Sequence, residues 1–385
     1  MPPQALQTVP MLDFARQYAS IRDEVLSAIE QVCESQKFIL GPAVESFERA
    51  AAKACNVPHA IGCGSGTDAL WLSLAAAGLG PGDAVITTPF SFFASVSSIV
   101  RCGCRPVLAD IDPRTFNLSP EAVKEAIRSQ PDAKIRAVLP VHLYGQCADW
   151  DAFPDLQQRY GFMLIEDAAQ AFGAAWQGKP AGSLGDMAAF SFYPTKNLSA
   201  FGEAGLITTH SEKLAERATM LRTHGMRRRY YHDEIGWNSR LDSLQAAVLE
   251  VKLRYLPLWN EQRRQLAAGY DALFQRAGLS AATTKEGIVL PWTDPRATHV
   301  FHQYVIRAPR RDDLRQFLAE RQIGSEVYYP LPLHLQTSLA DLGYKSGDFP
   351  VSEQAAKEVL ALPMFPELRA DEQEIVVDAI RAFYA

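Results

Sequence analysis

Residues 187–207, MAAFSFYPTKNLSAFGEAGLI, contain the pattern that decides the fold. The stretch opens with an apolar run, AAFSFY, and closes with a second one, GLITT at 205–209, and each is typical of a buried strand. The turn between them carries Lys196. A lysine is rarely buried between two strands unless it forms an ion pair or takes part in chemistry. Its ammonium can also reach the surface while the stem stays covered, which is called snorkelling. This segment alone leaves both interpretations open.

Other apolar runs, rich in Val, Ile and Leu and without polar alternation, recur along the chain with helical or turn segments between them. This pattern is typical of a mainly parallel sheet covered on both faces by helices. We therefore predict an α/β fold. The predicted strands are AVITT (84–88), PVLADI (106–111), AVLPV (137–141), FMLIED (162–167), AAFSFY (188–193) and GLITT (205–209).

Ligands of such sheets gather at the carboxyl ends of the strands. Asp167 ends the predicted strand FMLIED, and a buried carboxylate there needs a cationic or hydrogen-bonding partner. An aspartate that caps a following helix is the alternative. The residues predicted at this edge of the sheet are Phe92, His142, Asp167, Gln170, Ser191 and Lys196.

Residues 60–79, AIGCGSGTDALWLSLAAAGL, predict a short strand, a glycine-rich turn and an apolar helix. Thr67 or Asp68 is placed to cap that helix. The free N–H groups and the dipole of a helix N-terminus favour a phosphate. However, GCGSG lacks the GxGxxG pattern and the P-loop lysine, so a capped helix that binds nothing is the alternative.

The segments before and after these strands predict further helices and a second domain. Apolar positions at helical spacing in residues 13–35 predict a helical arm, followed by a break at Gly41-Pro42. A long helix begins near Asp242 and ends at Gly278, and Pro257 predicts a break or kink in it. Beyond it we expect a strand at 302–308 and helices at 310–324 and from 371. The predicted domains are 1–255, with the arm, and a smaller α+β domain, 256–385.

Composition excludes several classes of protein. The 385 residues predict roughly two domains, and the net charge of −6 argues against a nucleic-acid partner. The N-terminal MPPQALQTVPMLDF lacks the pattern of an export signal, and no apolar run is long enough to span a bilayer. The six cysteines form no CxxC pair and predict neither zinc nor disulfides. We expect a cytoplasmic protein without a metal or a membrane segment.

Seven segments in order carry a resemblance over nearly the whole chain. They are GSGTDAL (64–70), TPFSFFAS (88–95), PVHLYGQ (140–146), IEDAAQAFGA (165–174), SFYPTKNLSAFGEAG (191–205), GWNSRLDSLQAAVL (236–249) and YYPLPLHLQ (328–336). The sequence resembles the DegT/DnrJ/EryC1/StrS family. These are pyridoxal-phosphate-dependent aminotransferases of nucleotide-linked keto sugars, with the fold-type I aspartate aminotransferase architecture.

The resemblance implies a role for each matching residue. Lys196 would hold the aldehyde of pyridoxal phosphate as a Schiff base and would move the proton during amino transfer. Asp167 would keep the pyridine nitrogen protonated, and Gln170 would contact the phenolic oxygen. Phe92 would stack on the ring, although a core phenylalanine is the alternative. The phosphate would bind Gly66, Thr67 and Ser191.

The resemblance also implies a homodimer with shared active sites. Asn238 would cross the two-fold interface to the neighbour's cofactor phosphate; the alternative is a turn or helix-cap residue. The basic run RTHGMRRRYYH (222–232) could meet the substrate's diphosphate or be a solvated face. The predicted substrate contacts are His142, Tyr193, Arg227, Arg240 and His334.

Because the resemblance includes the lysine, we expect transamination rather than dehydration. The amino group would pass from L-glutamate to a keto-deoxyhexose linked to a nucleoside diphosphate. The product would be a 3- or 4-amino sugar nucleotide for polysaccharide or glycosylated-metabolite synthesis. Two alternatives stay open: a keto-cyclitol aminotransferase, and a cofactor-binding regulator without turnover.

Overall fold

The computed structural model describes residues 8–385. The predicted absence of an export signal rests partly on residues 1–7, which lie outside this range. The helices of the described chain are α1 (Phe14–Ser35), α2 (Pro42–Ala54), α3 (Gly66–Ala76), α4 (Ala94–Arg101), α5 (Pro120–Ser129), α6 (Phe153–Tyr160), α7 (Glu212–Leu221), α8 (Ser243–Arg276), α9 (Arg311–Glu320), α10 (Pro350–Glu358) and α11 (Ala370–Tyr384).

The strands of residues 8–385 are short, and six of these fourteen overlap the predicted apolar runs. They are β1 (His59–Cys63), β2 (Ala84–Thr87), β3 (Arg105–Leu108), β4 (Ile135–Val138), β5 (Met163–Asp167), β6 (Ala175–Trp176), β7 (Lys179–Pro180), β8 (Met187–Ser191), β9 (Gly205–Thr209), β10 (Met226–Arg228), β11 (Tyr231–His232), β12 (Ala297–Thr298), β13 (Tyr304–Arg307) and β14 (Val359–Leu362).

Seven strands form the main sheet in the order β1-β9-β8-β5-β4-β2-β3. Strand β9 runs antiparallel to both of its neighbours, and the other pairings are parallel. The register places Asp167 opposite Ala189, so the last residues of β5 and β8 lie at the same edge. The prediction of a mainly parallel mixed sheet is confirmed.

The sheet is buried on both faces, which explains its continuous apolar strands. Ala189 and Ile207 pack into one apolar core, whereas their chain neighbours Ala188 and Leu206 pack into the other. Successive side chains of a strand point to opposite faces, so an apolar run without alternation supplies both cores.

Helix α8 is continuous through Pro257, so of the predicted break or kink the break is wrong, and the kink stays a prediction. Val251 and Trp259, on either side of the proline, pack with Ile21 and Val25 of α1. These contacts stabilise the helix where proline removes one backbone donor. The predicted domain boundary at residues 255 and 256 lies inside this helix.

The C-terminal part is built on a two-stranded antiparallel sheet, β13 with β14. Helix α11 packs against both α8 and α9. The N-terminal arm reaches this part, because Arg16 forms two 2.8 Å hydrogen bonds with Glu372 and Val9 forms a parallel bridge to Ile323.

Two general features follow from the described residues. Within residues 8–385, no helix is both long enough and apolar enough to cross a membrane. The six cysteines, all within that range, are free thiols.

Candidate active site

A cavity of about 740 Å³ lies at the carboxyl edge of the sheet. Its wall includes Lys196 and every predicted cofactor-binding residue except Asn238. Tyr193, a predicted substrate contact, also lines it. The structure therefore brings together predicted residues that are far apart in the chain, from Gly66 to Lys196. The predicted residues in the wall are Gly66, Thr67, Phe92, Asp167, Gln170, Ser191, Tyr193 and Lys196.

The N-terminus of α3 forms one end of this cavity. The cap is Ser65, whose Oγ accepts a 3.1 Å hydrogen bond from the N–H of Asp68, so the prediction of Thr67 or Asp68 as the cap is wrong. Gly66 is the first helical residue, and a Cβ on it would lie 2.5 Å from the Cβ of Ser191. Because Gly66 has no side chain, the N-terminus of α3 can approach β8 closely. The first backbone N–H groups of the helix therefore lie beside the Ser191 side chain. This arrangement suits a phosphate.

Asp167 is buried at the end of β5. Its carboxylate accepts a 2.7 Å hydrogen bond from Ser95 Oγ and a 3.2 Å bond from the N–H of Ala169. Burial raises the pKa of Asp167, and the two hydrogen bonds and the charge of Lys196 oppose that rise. The site therefore holds a carboxylate that a protonated ring nitrogen can pair with.

Lys196 lies in the turn between β8 and β9, where its N–H donates a 2.8 Å hydrogen bond to the carbonyl of Tyr193. Burial lowers the pKa of Lys196 to about 8, and the charge of Asp167 opposes this shift. Near pH 7 a sizeable fraction of such an amine is unprotonated and nucleophilic, on the order of one tenth. Lys196 is partly exposed, and it lines the cavity.

Gln170 is held by hydrogen bonds on both sides of its amide. Its Oε1 accepts a 2.7 Å bond from the N–H of Tyr144, and its Nε2 donates a 3.2 Å bond to the hydroxyl of Tyr329. Phe92 is 59% exposed, and its ring lies 6.3 Å from that of Tyr329. Phe92 is therefore a wall of the cavity rather than a core phenylalanine.

Two predicted substrate contacts are wrong because their side chains are fully buried. The Nε2 of His142 is 3.0 Å from Glu166 Oε2, and its Nδ1 accepts a 3.1 Å hydrogen bond from the N–H of Ala148. Glu166 and Asp167 point to opposite faces of the sheet, as neighbours in a strand must.

His334 is buried in another cluster. Its Nε2 lies 3.1 Å from Glu353 Oε1, and its ring packs on Phe349 at 4.8 Å. A side chain with no exposed surface cannot touch a substrate. Neither His142 nor His334 is therefore a substrate contact in this structure.

The remaining predicted residues lie outside the cavity wall of this chain. Arg227 is in the β10–β11 hairpin, where its Nε pairs with Asp233 at 3.1 Å. Asn238 is exposed and forms an antiparallel bridge to Thr223. Arg240 is partly exposed and also does not line the cavity. Their roles stay predictions.

The structure adds residues that the sequence did not single out. Ser95 contacts Asp167, Tyr329 contacts Gln170, and His302 lines the cavity. The first two lie within the quoted segments TPFSFFAS and YYPLPLHLQ, so those segments contained a signal without showing which hydroxyl mattered. His302 lies in no quoted segment. Among residues 8–385 there is no group of three or more His, Cys, Asp or Glu side chains that could hold a metal ion.

The fold is that of known enzymes. A solved structure of DesV from S. venezuelae, in complex with a ketimine intermediate, superposes with a TM-score of 0.92 at 42% identity, covering 98% of each chain. The sheet and its helical layers, matched by that structure, define an aminotransferase of fold type I. The chain belongs to the DegT/DnrJ/EryC1/StrS aminotransferase family, which it matches over residues 19–381. The prediction of the family and of the enzyme class is confirmed.

Two relatives are similar over nearly their whole length. A protein of Geobacillus stearothermophilus named pleiotropic regulatory protein is 50% identical, covering 98% of each chain. The dTDP-3-amino-3,4,6-trideoxy-alpha-D-glucose transaminase of Streptomyces venezuelae is 42% identical, covering 97% of this chain and 95% of that protein.

Proposed function

We propose that this chain uses pyridoxal phosphate to move an amino group from L-glutamate to a keto-deoxyhexose linked to a nucleoside diphosphate. The product is a 3- or 4-amino sugar nucleotide for polysaccharide or glycosylated-metabolite synthesis in the cytoplasm. The observation that carries this proposal is that Lys196 and buried Asp167 line one cavity that also contains the N-terminus of α3, and that burial lowers the pKa of Lys196 to about 8. The similarity to a dTDP-amino-sugar transaminase supports the substrate class.

The residues present fit this cofactor. Gly66, Thr67 and Ser191 would bind its phosphate, because the space that a Cβ on Gly66 would occupy is kept open beside Ser191. Asp167 would pair with the ring nitrogen, and Phe92 would lie against the ring. Gln170 would meet the phenolic oxygen. When bound, pyridoxal phosphate supplies an aldehyde for the amino group and a ring that withdraws electrons.

Proton transfer would then depend on the chain's own residues. Lys196 Nζ is a base when unprotonated. It could therefore take the proton from the α-carbon of the amino donor, hold it at Nζ, and transfer it to the carbon of the cofactor. Burial raises the pKa of Asp167, and the hydrogen bonds from Ser95 and the Ala169 N–H, with the charges of Lys196 and His142, oppose that rise and favour the carboxylate.

A second copy of the chain would complete the site. Lys196 is the only lysine or arginine among the described residues that line the cavity. The cavity wall also contains the carboxylates of Asp167, Glu203 and Glu326. A diphosphate and the carboxylates of glutamate need cations. Arg227, Arg240 and Asn238, on the outer surface of one subunit, would supply contacts to the cavity of its partner in a homodimer, together with Tyr193 of the cavity's own chain.

The proposed function is tested with the purified, cofactor-loaded protein. L-Glutamate should bleach the visible absorbance of the bound cofactor and release 2-oxoglutarate in equal amount. A panel of dTDP- and UDP-linked 3-keto and 4-keto hexoses should then restore the absorbance, with amino sugars detected by mass spectrometry. Bleaching by glutamate with a keto-cyclitol as the only acceptor would overturn the sugar-nucleotide assignment.

A second candidate function, a cofactor-binding regulator without turnover, is favoured by one comparison. The relative at 50% identity carries the name of a regulatory protein. If none of the common amino donors bleaches the bound cofactor, the regulator interpretation replaces the proposed transamination.

A further inference from the structure

Asn238 lies in a short segment that is fixed through the residues on either side of it. The N–H of Trp237 donates a 2.7 Å hydrogen bond to the carbonyl of Leu221, at the end of α7, and the N–H of Ser239 donates a 3.0 Å bond to the carbonyl of Arg222. The side chain of Asn238 is exposed, and among residues 8–385 its amide has no hydrogen-bond partner. The chain therefore holds this asparagine by its neighbours and leaves its amide free.

Two side chains of the same segment contact helix α3. Ser239 Oγ donates a 2.9 Å hydrogen bond to Oδ2 of Asp68, in the first turn of α3, and accepts a 3.0 Å bond from the N–H of Gly64. The ring of Trp237 lies 5.6 Å from that of Trp71, which is one turn further along α3. The helix whose N-terminus forms one end of the active-site cavity thus also supports this segment.

Arg101, the last residue of α4, joins these contacts into one cluster. Its Nη1 lies 3.3 Å from Oδ1 of Asp68, so the carboxylate uses one oxygen for Arg101 and the other for Ser239. Its guanidinium carbon lies 4.2 Å from the ring centre of Trp237 and 5.2 Å from that of Trp71. A planar guanidinium can pair with a carboxylate and also lie against an aromatic face. Arg101 therefore ties Trp237 to α3.

We propose that Arg101 and Asp68 are positioning residues that hold Asn238 where it reaches the cofactor phosphate in the partner's cavity. The inference rests on the proposed contribution of Asn238 to that cavity. Both residues lie outside the cavity wall of their own chain, so they act through the segment that they support. Helix α3 then serves both sites of the dimer: its N-terminus faces the phosphate of its own cavity, and Asp68 supports the asparagine that enters the other.

The first test is hydrogen exchange in the full chain, freed of cofactor and followed by mass spectrometry of peptides that cover residues 237–239. Arg101→Met removes the cation and keeps an aliphatic stem, and we expect these amides to exchange about threefold faster, because the segment opens more often. Arg101→Lys keeps the charge without the planar face and should recover part of the protection. Arg105→Met is the control, since Arg105 is exposed at the start of β3. Unchanged exchange in Arg101→Met, or an equal change in the control, overturns the proposal.

The second test asks which subunit's site depends on Arg101. Two mixed dimers, purified from differently tagged chains, each keep one working lysine. In the first, Arg101→Met is on one chain and Lys196→Ala on the other, so the working site receives Asn238 from a chain that has Arg101. In the second, both changes are on one chain and the other is the parent. Its working site receives Asn238 from a chain that lacks Arg101.

The absorbance of the linked cofactor reports the affinity of the working site, without any substrate. The reference is the dimer of Lys196→Ala with the parent chain. We expect the dissociation constant of the first mixed dimer to equal the reference and that of the second to be about fivefold higher, in keeping with the modest strength of exposed ion-pair and cation–π contacts. Equal constants in both dimers, or weakening in the first alone, overturn the proposal. A parent protein that links no cofactor to Lys196 would instead show failure of the proposed function, and the exchange test is independent of that result.

Discussion

Ser95, in the first turn of α4, donates a 2.7 Å hydrogen bond to Oδ2 of Asp167 at the end of β5. Both side chains are buried. Burial favours the neutral acid, whereas a hydroxyl donor favours the carboxylate. The ionisation of Asp167 therefore depends on a serine from another element of the fold.

We expect Ser95→Ala to raise the pKa of Asp167 further. The ionised carboxylate exists above this pKa, so the acid limb of the kcat profile should move to higher pH while activity on the alkaline side changes little. Ser98→Ala is the matched control, because Ser98 lies on the same helix and donates to a carbonyl instead. Identical acid limbs for Ser95→Ala and the parent enzyme would show that Ser95 does not tune Asp167.

Asp167→Asn keeps the shape of the side chain and removes its charge. We expect the cofactor still to bind and turnover to fall by more than tenfold, because the ring nitrogen loses its anionic partner. The charge of Asp167 also raises the pKa of Lys196, so its removal should move that pKa below about 8. The rate at which the cofactor-free protein links to added cofactor, followed against pH, measures this shift. Turnover within twofold of the parent would rule out the role of Asp167.

Lys196→Ala should abolish the visible absorbance of the linked cofactor and lower turnover by orders of magnitude. Phosphate and ring contacts should still hold some cofactor. Borohydride reduction followed by peptide mass spectrometry should place the cofactor on Lys196 in the parent and on no lysine in the variant. Lys252 is buried, and its pKa is also lowered to about 8 by that burial; labelling of Lys252 would refute the assignment.

Gly66→Ala should weaken cofactor binding more than tenfold. The new Cβ would lie 2.5 Å from Ser191 Cβ, so the end of α3 must shift, at a cost of about 1–3 kcal/mol in the free energy of unfolding. Gly80→Ala is the control, since its Cβ would meet nothing within 4 Å. Titration with cofactor and denaturant unfolding measure the two effects. Equal behaviour of the two variants would mean that this close approach is unimportant.

The shared-site proposal predicts that two defective proteins rescue each other. Mixing Lys196→Ala with Asn238→Ala should restore about a quarter of all sites, because half of the dimers are mixed and one site of each mixed dimer carries neither change. Subunit exchange is followed with differently tagged chains. If exchange occurs without recovery, or if the active species sediments as a monomer, Asn238 acts within its own chain.

The local pattern of apolar residues predicted the main strands of this protein, because apolar residues mark the parts of the chain that are buried. The runs of Val, Ile and Leu around Asp167 and Lys196 predicted strands buried on both faces, and the register of β5 with β8 agrees with that prediction. A resemblance spread over seven segments gave the family. Pattern failed at Pro257, where packing against α1 keeps α8 continuous.

Sequence by itself thus determined the sheet, the family and the set of polar residues that end the strands. The tertiary structure alone decided which of these residues reach the cavity. His142 and Asp167 both lie near the ends of buried strands, yet His142 is buried against Glu166 while Asp167 lines the cavity that also contains Lys196. The direction of a side chain, its pKa and its hydrogen-bond partners depend on neighbours far away in the chain, such as Ser95 for Asp167 and Asn197 for His302. Only folding brings those neighbours together.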